Sequence, residues 1–186
     1  MILSDKSIRK FISEGELITN PINIEESLQP ASYDVTLGDQ FLAIASNTGG
    51  SDIIDLKKEL KYKEIPLKTD DNEEKYVIIP AKSFVLAVTK EIFKIPNGCT
   101  AFVDGRSSIG RSGLFIENAG LLDSGFYGTV TLELFNATDY GIKVYPGMRI
   151  GQVTFHINDQ MSDKPYQGKY QGQIDVTGSR INKDFE

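Results

Sequence analysis

Short alternating runs dominate the chain. In VTLELF, Val130, Leu132 and Leu134 fall on one face, and Thr131, Glu133 and Phe135 on the other. That period of two marks a strand with one buried side. YVIIP, SFVLAVT, TAFVD, IKVYPG and MRIGQVTFHI are further strand runs, separated by Gly, Pro and Asn turns. Upstream, Tyr33, Val35 and Leu37 alternate in QPASYDVTLG, with Gly38 predicted to end that strand, and FLAIA reads as a separate one. Helical spacing stands out at the N-terminus, where Ile8, Phe11 and Ile12 follow Ser4 as a candidate N-cap. Gly15 can stop that helix after roughly ten residues. Many short strands with no strand–helix–strand rhythm predict a mainly β fold, an antiparallel sandwich or barrel with a short N-terminal helix.

Two stretches leave this rhythm. Residues 51 to 75 are charged and contain TDDNEEK, which together with SNTGGSD predicts a solvated insertion or hairpin near 45–75. The tail, 163–186, is polar, rich in Gly and Tyr, and echoes itself in YQGK (166–169) and YQGQ (170–173). Composition alone fits a flexible terminus as well as a segment that closes over a ligand. In the second reading Tyr stacks or hydrogen-bonds, Gly lets the chain turn, and Gln and Lys reach a base or phosphate. At 186 residues the chain is read as a single domain, 1–186.

Composition narrows the classes. A hydrophobic fraction of 40% and a charged fraction of 25% are those of an ordinary soluble protein. MILSDKSIRK lacks a signal-peptide pattern and no run is long and apolar enough to span a bilayer, so the expected location is cytoplasmic, without a membrane partner. The net charge of −6, with no Lys/Arg run, argues against nucleic acid as a partner. It leaves room for a small anion met by local positive charge. The single cysteine, Cys99, excludes an internal disulfide, and with the single histidine, His156, it cannot build the usual Cys/His zinc site. Cys99 is expected in the core or a turn and His156 on a strand surface. No GxSxG nucleophile motif is present.

The chemistry concentrates in DGRSSIGRSGLFIENAGLLDSGFYGTVTLELFN, residues 104–136. Arg106 and Arg111 flank Ser107 and Ser108, with Ile109 and Gly110 between. Guanidinium forks, hydroxyls and free backbone N–H groups suit a phosphate chain. The loop is not a Walker A motif, because GxxxxGK[ST] is absent. Glu133 is left on the outward face of its strand, either simply solvated or chemically active.

GRSSIGRSGL, AGLLDSGFYG and PGMRIGQ, in that order, resemble the motifs of the deoxyuridine triphosphatase superfamily. DGRSS with Arg111, TLEL, and the late KYQGQ with SRI resemble its dCTP deaminase branch. The likeness runs from MILSDKSI through PASYDVTLG to the tail and spares only the 45–75 stretch. It implies a dUTPase-like distorted β-barrel or jelly roll, forming a homotrimer with active sites between subunits. The implied activity is hydrolysis of dCTP to a deoxyuridine nucleotide and ammonia, in pyrimidine deoxynucleotide biosynthesis.

The resemblance also implies roles. Glu133 is the general acid/base, Ser107 and Arg111 hold the attacking water, and Asp123 binds the deoxyribose. Arg106, Ser108 and the loop N–H groups of Ile109 and Gly110 bind phosphate. Thr131 and Leu132 are also implied in substrate binding, and Gln152, Tyr166, Lys169 and Gln173 contact the phosphates. Magnesium is expected on the triphosphate, and no zinc: zinc deaminases use HxE with PCxxC, and this chain has neither. In IENAGLLD, Ala119-Gly120 resembles the bifunctional form that takes dCTP to dUMP and diphosphate, with Asp123 able to position a second water. Asn118 stands where the family has threonine, in a loop about a residue shorter than usual, so feedback inhibition by dTTP is expected to be altered. Deamination alone to dUTP, dUTP hydrolysis alone, and a nucleotide-sensing trimer without turnover are the alternatives.

Overall fold

Seven strands follow one another in hydrogen-bonded order across the main sheet: Leu114–Ile116, Thr131–Asn136, Phe84–Thr89, Ser32–Ile44, Arg149–Ile157, Cys99–Gly105 and Leu121–Leu122. Every pairing is antiparallel. Leu28–Gln29 and Tyr62–Glu64 pair with Ser32–Ile44 off this path. These relationships come from a computed structural model, which describes residues 1–45, 53–117 and 120–185. The first and last strands of the order are joined in sequence by residues 117–120 alone. A connection that short reaches at most about 18 Å. The sheet must therefore curl until its ends approach, which gives the distorted antiparallel barrel expected from the sequence. Leu132, Leu134, Val153 and Phe155 are fully buried in its core.

Local chemistry explains the helix. Asp5–Ser13 buries Ile8 and Ile12 and exposes its charged side. Ser4 occupies the N-cap position, but its side chain makes no cap hydrogen bond. Asp5 instead puts negative charge in the first turn, where exposed N–H groups favour it. Gly15 follows the last turn at φ +75°, a conformation that costs glycine little.

One expectation is corrected at Gly38. The glycine does not end its strand, and FLAIA is no separate element: Gly38 and residues 41–44 all lie within Ser32–Ile44. The register moves from Leu37↔Thr89 to Phe41↔Ala87, four steps on one strand against two on its partner. Gly38 allows this bulge because a Cβ there would fall 2.7 Å from Val88 Cγ1 and 2.8 Å from its carbonyl oxygen. The alternation predicted for Tyr33–Leu37 is also replaced by unbroken burial. Polar groups of this buried stretch find partners inside: the Tyr33 hydroxyl donates to the Ile22 carbonyl at 2.8 Å, and the Thr36 amide to Glu91 Oε2 at 2.9 Å.

Lys68–Thr69 and Lys75–Ile79 form a hairpin. Asp70 Oδ1 closes its turn by accepting the amides of Asn72 and Glu74, each at 3.0 Å. Lys143, on the neighbouring strand Ile142–Val144, binds Asp70 at 3.0 Å and lies 4.0 Å above the Tyr76 ring. Among the described residues no helix is long and apolar enough to cross a membrane. Cys99 is free and buried. His156 is half-buried on its strand, with Nε2 3.0 Å from the Thr154 hydroxyl and its ring edge-on to Phe102.

Candidate active site

Glu133 lies opposite Leu86 in the pairing of Thr131–Asn136 with Phe84–Thr89. The alternation that buries Leu132 and Leu134 turns the Glu133 side chain outward, where it is half-buried. Burial pushes its carboxyl pKa above the ordinary range, and the charge of Glu117 pushes it further in the same direction. A cavity of about 510 Å³ opens over this face, lined by Thr131, Glu133, Asp123, Phe126, Tyr166 and Gln173 among others. That volume suits a small molecule.

Asp123 enters from the turn after Leu121–Leu122. The turn is anchored beneath it: the buried Ser124 hydroxyl donates to the Cys99 carbonyl at 2.5 Å. The Asn158 amide donates in turn to that hydroxyl at 3.1 Å. The tail packs directly on this region. The Tyr166 amide donates to the Ser124 carbonyl at 2.7 Å. Thr129 N–H donates to the Gln173 carbonyl, and Gln173 Nε2 returns a bond to the Thr129 carbonyl, each at 2.8 Å.

The arginine–serine loop forms a second group. Ser107–Gly110 is a single helical turn whose Ser107 carbonyl accepts the Arg111 amide at 2.9 Å. Ser107, Ser108 and Arg111 are exposed, Gly110 is half-exposed, and Ile109 packs against the core. None of these residues lines the cavity that contains Glu133. Arg106 turns inward: its guanidinium lies 3.1 Å from Asp34 Oδ2 and donates to the Arg149 carbonyl at 3.2 Å. Arg149 also reaches Asp34, at 3.3 Å. Burial nevertheless dominates at Asp34 and raises its pKa, with the two arginines opposing.

The remaining residues divide between these groups. Gln152 braces the loop from behind, donating to the Gly105 carbonyl at 3.3 Å. Lys169 is held by Asp184 at 2.6 Å, away from the cavity wall. Leu132 is fully buried, so strand geometry directs its side chain into the core and away from any ligand. Gly120 lines the cavity, while Asn118 and Ala119 lie outside the described residues.

Residues 2–158 match the family described as dCTP deaminase-like. The chain belongs to the dCTP deaminase-like family. A Sulfurihydrogenibium sp. relative named dCTP deaminase, dUMP-forming, is 50% identical over 184 residues, covering 99% of each chain. An Aquifex aeolicus relative of the same name is 48% identical over 186 residues, covering 100% of this chain and 98% of its own. Among solved structures, the 2'-deoxycytidine 5'-triphosphate deaminase from Agrobacterium tumefaciens superposes with a TM-score of 0.64 at 23% identity. That match covers 84% of this chain and 48% of the other, and establishes the fold of the dCTP deaminase-like chain.

Several contributors were not singled out in the sequence. Glu117 acts on Glu133 through space, and Tyr62 and Thr177 line the cavity from distant segments. Asp34 carried no signal, because alternation with Tyr33, Val35 and Leu37 puts it on the polar face, and only the structure shows it buried.

Proposed function

We propose that the protein is a homotrimeric hydrolase that converts dCTP to dUMP, ammonia and diphosphate. The observation that carries this reading is Glu133, a half-buried carboxyl with a raised pKa inside a nucleotide-sized cavity that Asp123 also lines. A carboxyl of raised pKa can take a proton and return it. The activity named for the full-length relatives supports the same reaction.

In the proposed chemistry, Ser107 and Arg111 hold a water against C4 of the cytosine. Glu133 takes a proton from this water as its oxygen bonds to C4, and delivers that proton to N3. The same carboxyl then carries the new hydroxyl's proton to the exocyclic nitrogen. The C4–N4 bond breaks, ammonia leaves and the uracil carbonyl forms. One such proton carrier contributes about 10²–10⁴ in rate. Asp123 binds the deoxyribose and positions a second water for attack on the α-phosphorus, releasing diphosphate and leaving dUMP. Thr131 and the main chain at Leu132 frame the base.

Phosphate binding falls to Arg106, Ser108, the Ile109 and Gly110 amides, Gln152, and the tail residues Tyr166, Lys169 and Gln173. The tail, 163–186, closes over the nucleotide. Within one chain the loop group and the Glu133 cavity are separate. A closed three-fold assembly resolves this by bringing the loop of one subunit to the cavity of the next. Among the described residues no three His, Cys, Asp or Glu side chains converge as a metal site. In this reading magnesium would be carried by the triphosphate, whose charge it would neutralise.

The test is a product assay with dCTP and magnesium, separating nucleotides while ammonia and diphosphate are measured. Equal yields of dUMP, ammonia and diphosphate are expected. dUTP with ammonia alone makes the protein a simple deaminase, and tight binding without product makes it a sensor. Glu133→Gln should still bind nucleotide while deamination falls by about 10²–10⁴. An active variant removes Glu133 from its role.

A further inference from the structure

The segment before the Tyr62–Glu64 strand reaches the same cavity as Glu133: Leu56, Leu60 and Tyr62 form part of its wall. Tyr62 also touches the tail. Its phenol oxygen accepts the Ser179 amide at 2.9 Å. Its ring packs so closely on Gly178 that an added Cβ there would overlap Cε2 and Cδ2. Two further grips hold the preceding tail residues. The Gln40 side chain donates to Asp175 Oδ1 at 2.8 Å and accepts the Val176 amide at 2.9 Å. The Thr177 amide donates to the Thr131 hydroxyl at 3.1 Å, two residues before Glu133. Thr177, Gly178 and Ser179 themselves line the cavity.

We propose that Tyr62 is a positioning residue that latches Gly178–Ser179 down as the roof of the cavity over Glu133. The middle of the charged stretch that interrupts the strand pattern thereby supplies both an apolar wall and the lock for the tail. The physical demand is specific. A rigid aromatic plate needs a residue without Cβ to let the backbone lie against it, and its hydroxyl must meet an amide that no helix or strand partner uses. Tyr62 with Gly178–Ser179 meets both demands. A closed roof excludes water from the carboxyl, and an open one readmits it. The consequence for turnover rests on the deamination proposed above; the closure itself does not.

The closure is read by hydrogen exchange of the C-terminal peptide in the full-length protein, which needs no activity. Tyr62→Ala should speed exchange at residues 175–180 by about tenfold or more, with slow exchange kept in the Thr131–Asn136 strand. Gly178→Ala should do the same from the other side. Tyr62→Phe keeps the plate but loses the bond to the Ser179 amide, and should give exchange between that of the wild type and of Tyr62→Ala. Tyr76→Ala disturbs the neighbouring hairpin without touching the tail and should leave tail exchange unchanged. Unaltered tail exchange in Tyr62→Ala, or equal release in Tyr76→Ala, overturns the latch. With dCTP, Tyr62→Ala should lower kcat and move the pH midpoint assigned to Glu133 downward. A released tail with wild-type kcat and pH midpoint overturns the positioning role. If no protein form yields product, the deamination reading fails while the exchange result still decides the latch.

Discussion

Glu117 and Glu133 are coupled twice. The Glu117 amide donates to the Glu133 carbonyl at 2.8 Å, and the Glu117 charge adds to burial in raising the Glu133 pKa. The main-chain bond fixes the spacing, so the like charge acts on Glu133 from a defined place. Glu117→Gln keeps that bond and removes the charge. The raised pKa should then fall part of the way, since burial, the larger cause, persists. The pH midpoint assigned to Glu133 is expected to move down without reaching the ordinary carboxylate range. Carboxyl-selective NMR titration checks it directly; an unmoved or upward midpoint rules out coupling through charge.

Asp34 is the post to which the loop's first arginine is tied. Its buried carboxylate meets both Arg106 and Arg149. Asp34→Asn leaves the side-chain shape nearly unchanged and removes the charge that draws the two guanidinium groups inward. Because burial outweighs the two arginines in raising the Asp34 pKa, removing the charge should leave stability at neutral pH little changed, and the loss should fall on the placement of the loop. The Ser107–Gly110 turn should shift with Arg106. Misplacement of about 1 Å is enough to cost about a hundredfold in turnover. Urea unfolding and steady-state kinetics on the same variant separate the two effects; wild-type values in both would show that Asp34 does not hold the loop.

What was legible in the sequence was what local periodicity encodes. VTLELF gave the strand, its inner and outer faces, and the outward Glu133, because side-chain direction in a strand depends only on residue parity. Gly15 was readable as a helix stop for the same local reason. Gly38 was misread because a glycine that ends a strand and one that permits a bulge look alike until Val88 is known to lie against it. Ser4 was placed correctly as an N-cap position, but whether its hydroxyl bonds depends on a rotamer that spacing does not encode. The cavity required Tyr62, Asp123, Glu133 and Gln173 to converge from segments far apart in the chain. No periodicity links them. Only their motifs suggested a common site, and Tyr62 belonged to no motif.

Glu91 is fully buried, with Oε2 accepting the Thr36 amide at 2.9 Å and Oε1 without a hydrogen-bond partner among the described residues. Burial raises its pKa, outweighing the Thr36 hydrogen bonds and the nearby Lys90 charge. The folded state therefore binds this proton more tightly than the unfolded chain does. Its contribution to stability is fully present below the ordinary carboxylate pKa and is lost as pH rises through the raised folded value. Glu91→Gln cannot ionise. The variant should match the wild type in acid and be the more stable at neutral pH. Urea midpoints at pH about 4 and about 8 test this. A difference that is constant across the range would mean that Glu91 does not titrate in the folded protein.

Asp123 separates the two halves of the proposed reaction. It lines the Glu133 cavity yet stands on a different turn, anchored through Ser124 to the Cys99 carbonyl. Deamination requires Glu133 to move protons at the base; release of diphosphate requires a carboxylate to orient water at the α-phosphorus. Asp123→Asn keeps a hydrogen-bonding side chain for the sugar but loses the charge that draws a proton from that water. Ammonia production should fall modestly through a raised KM, while diphosphate release falls by about 10² or more. The accumulating product should therefore change from dUMP to dUTP. Chromatography of the nucleotides beside the ammonia yield reads the partition directly. Equal loss of ammonia and diphosphate would show that Asp123 serves only to bind, and an unchanged dUMP yield would remove it from the chemistry altogether.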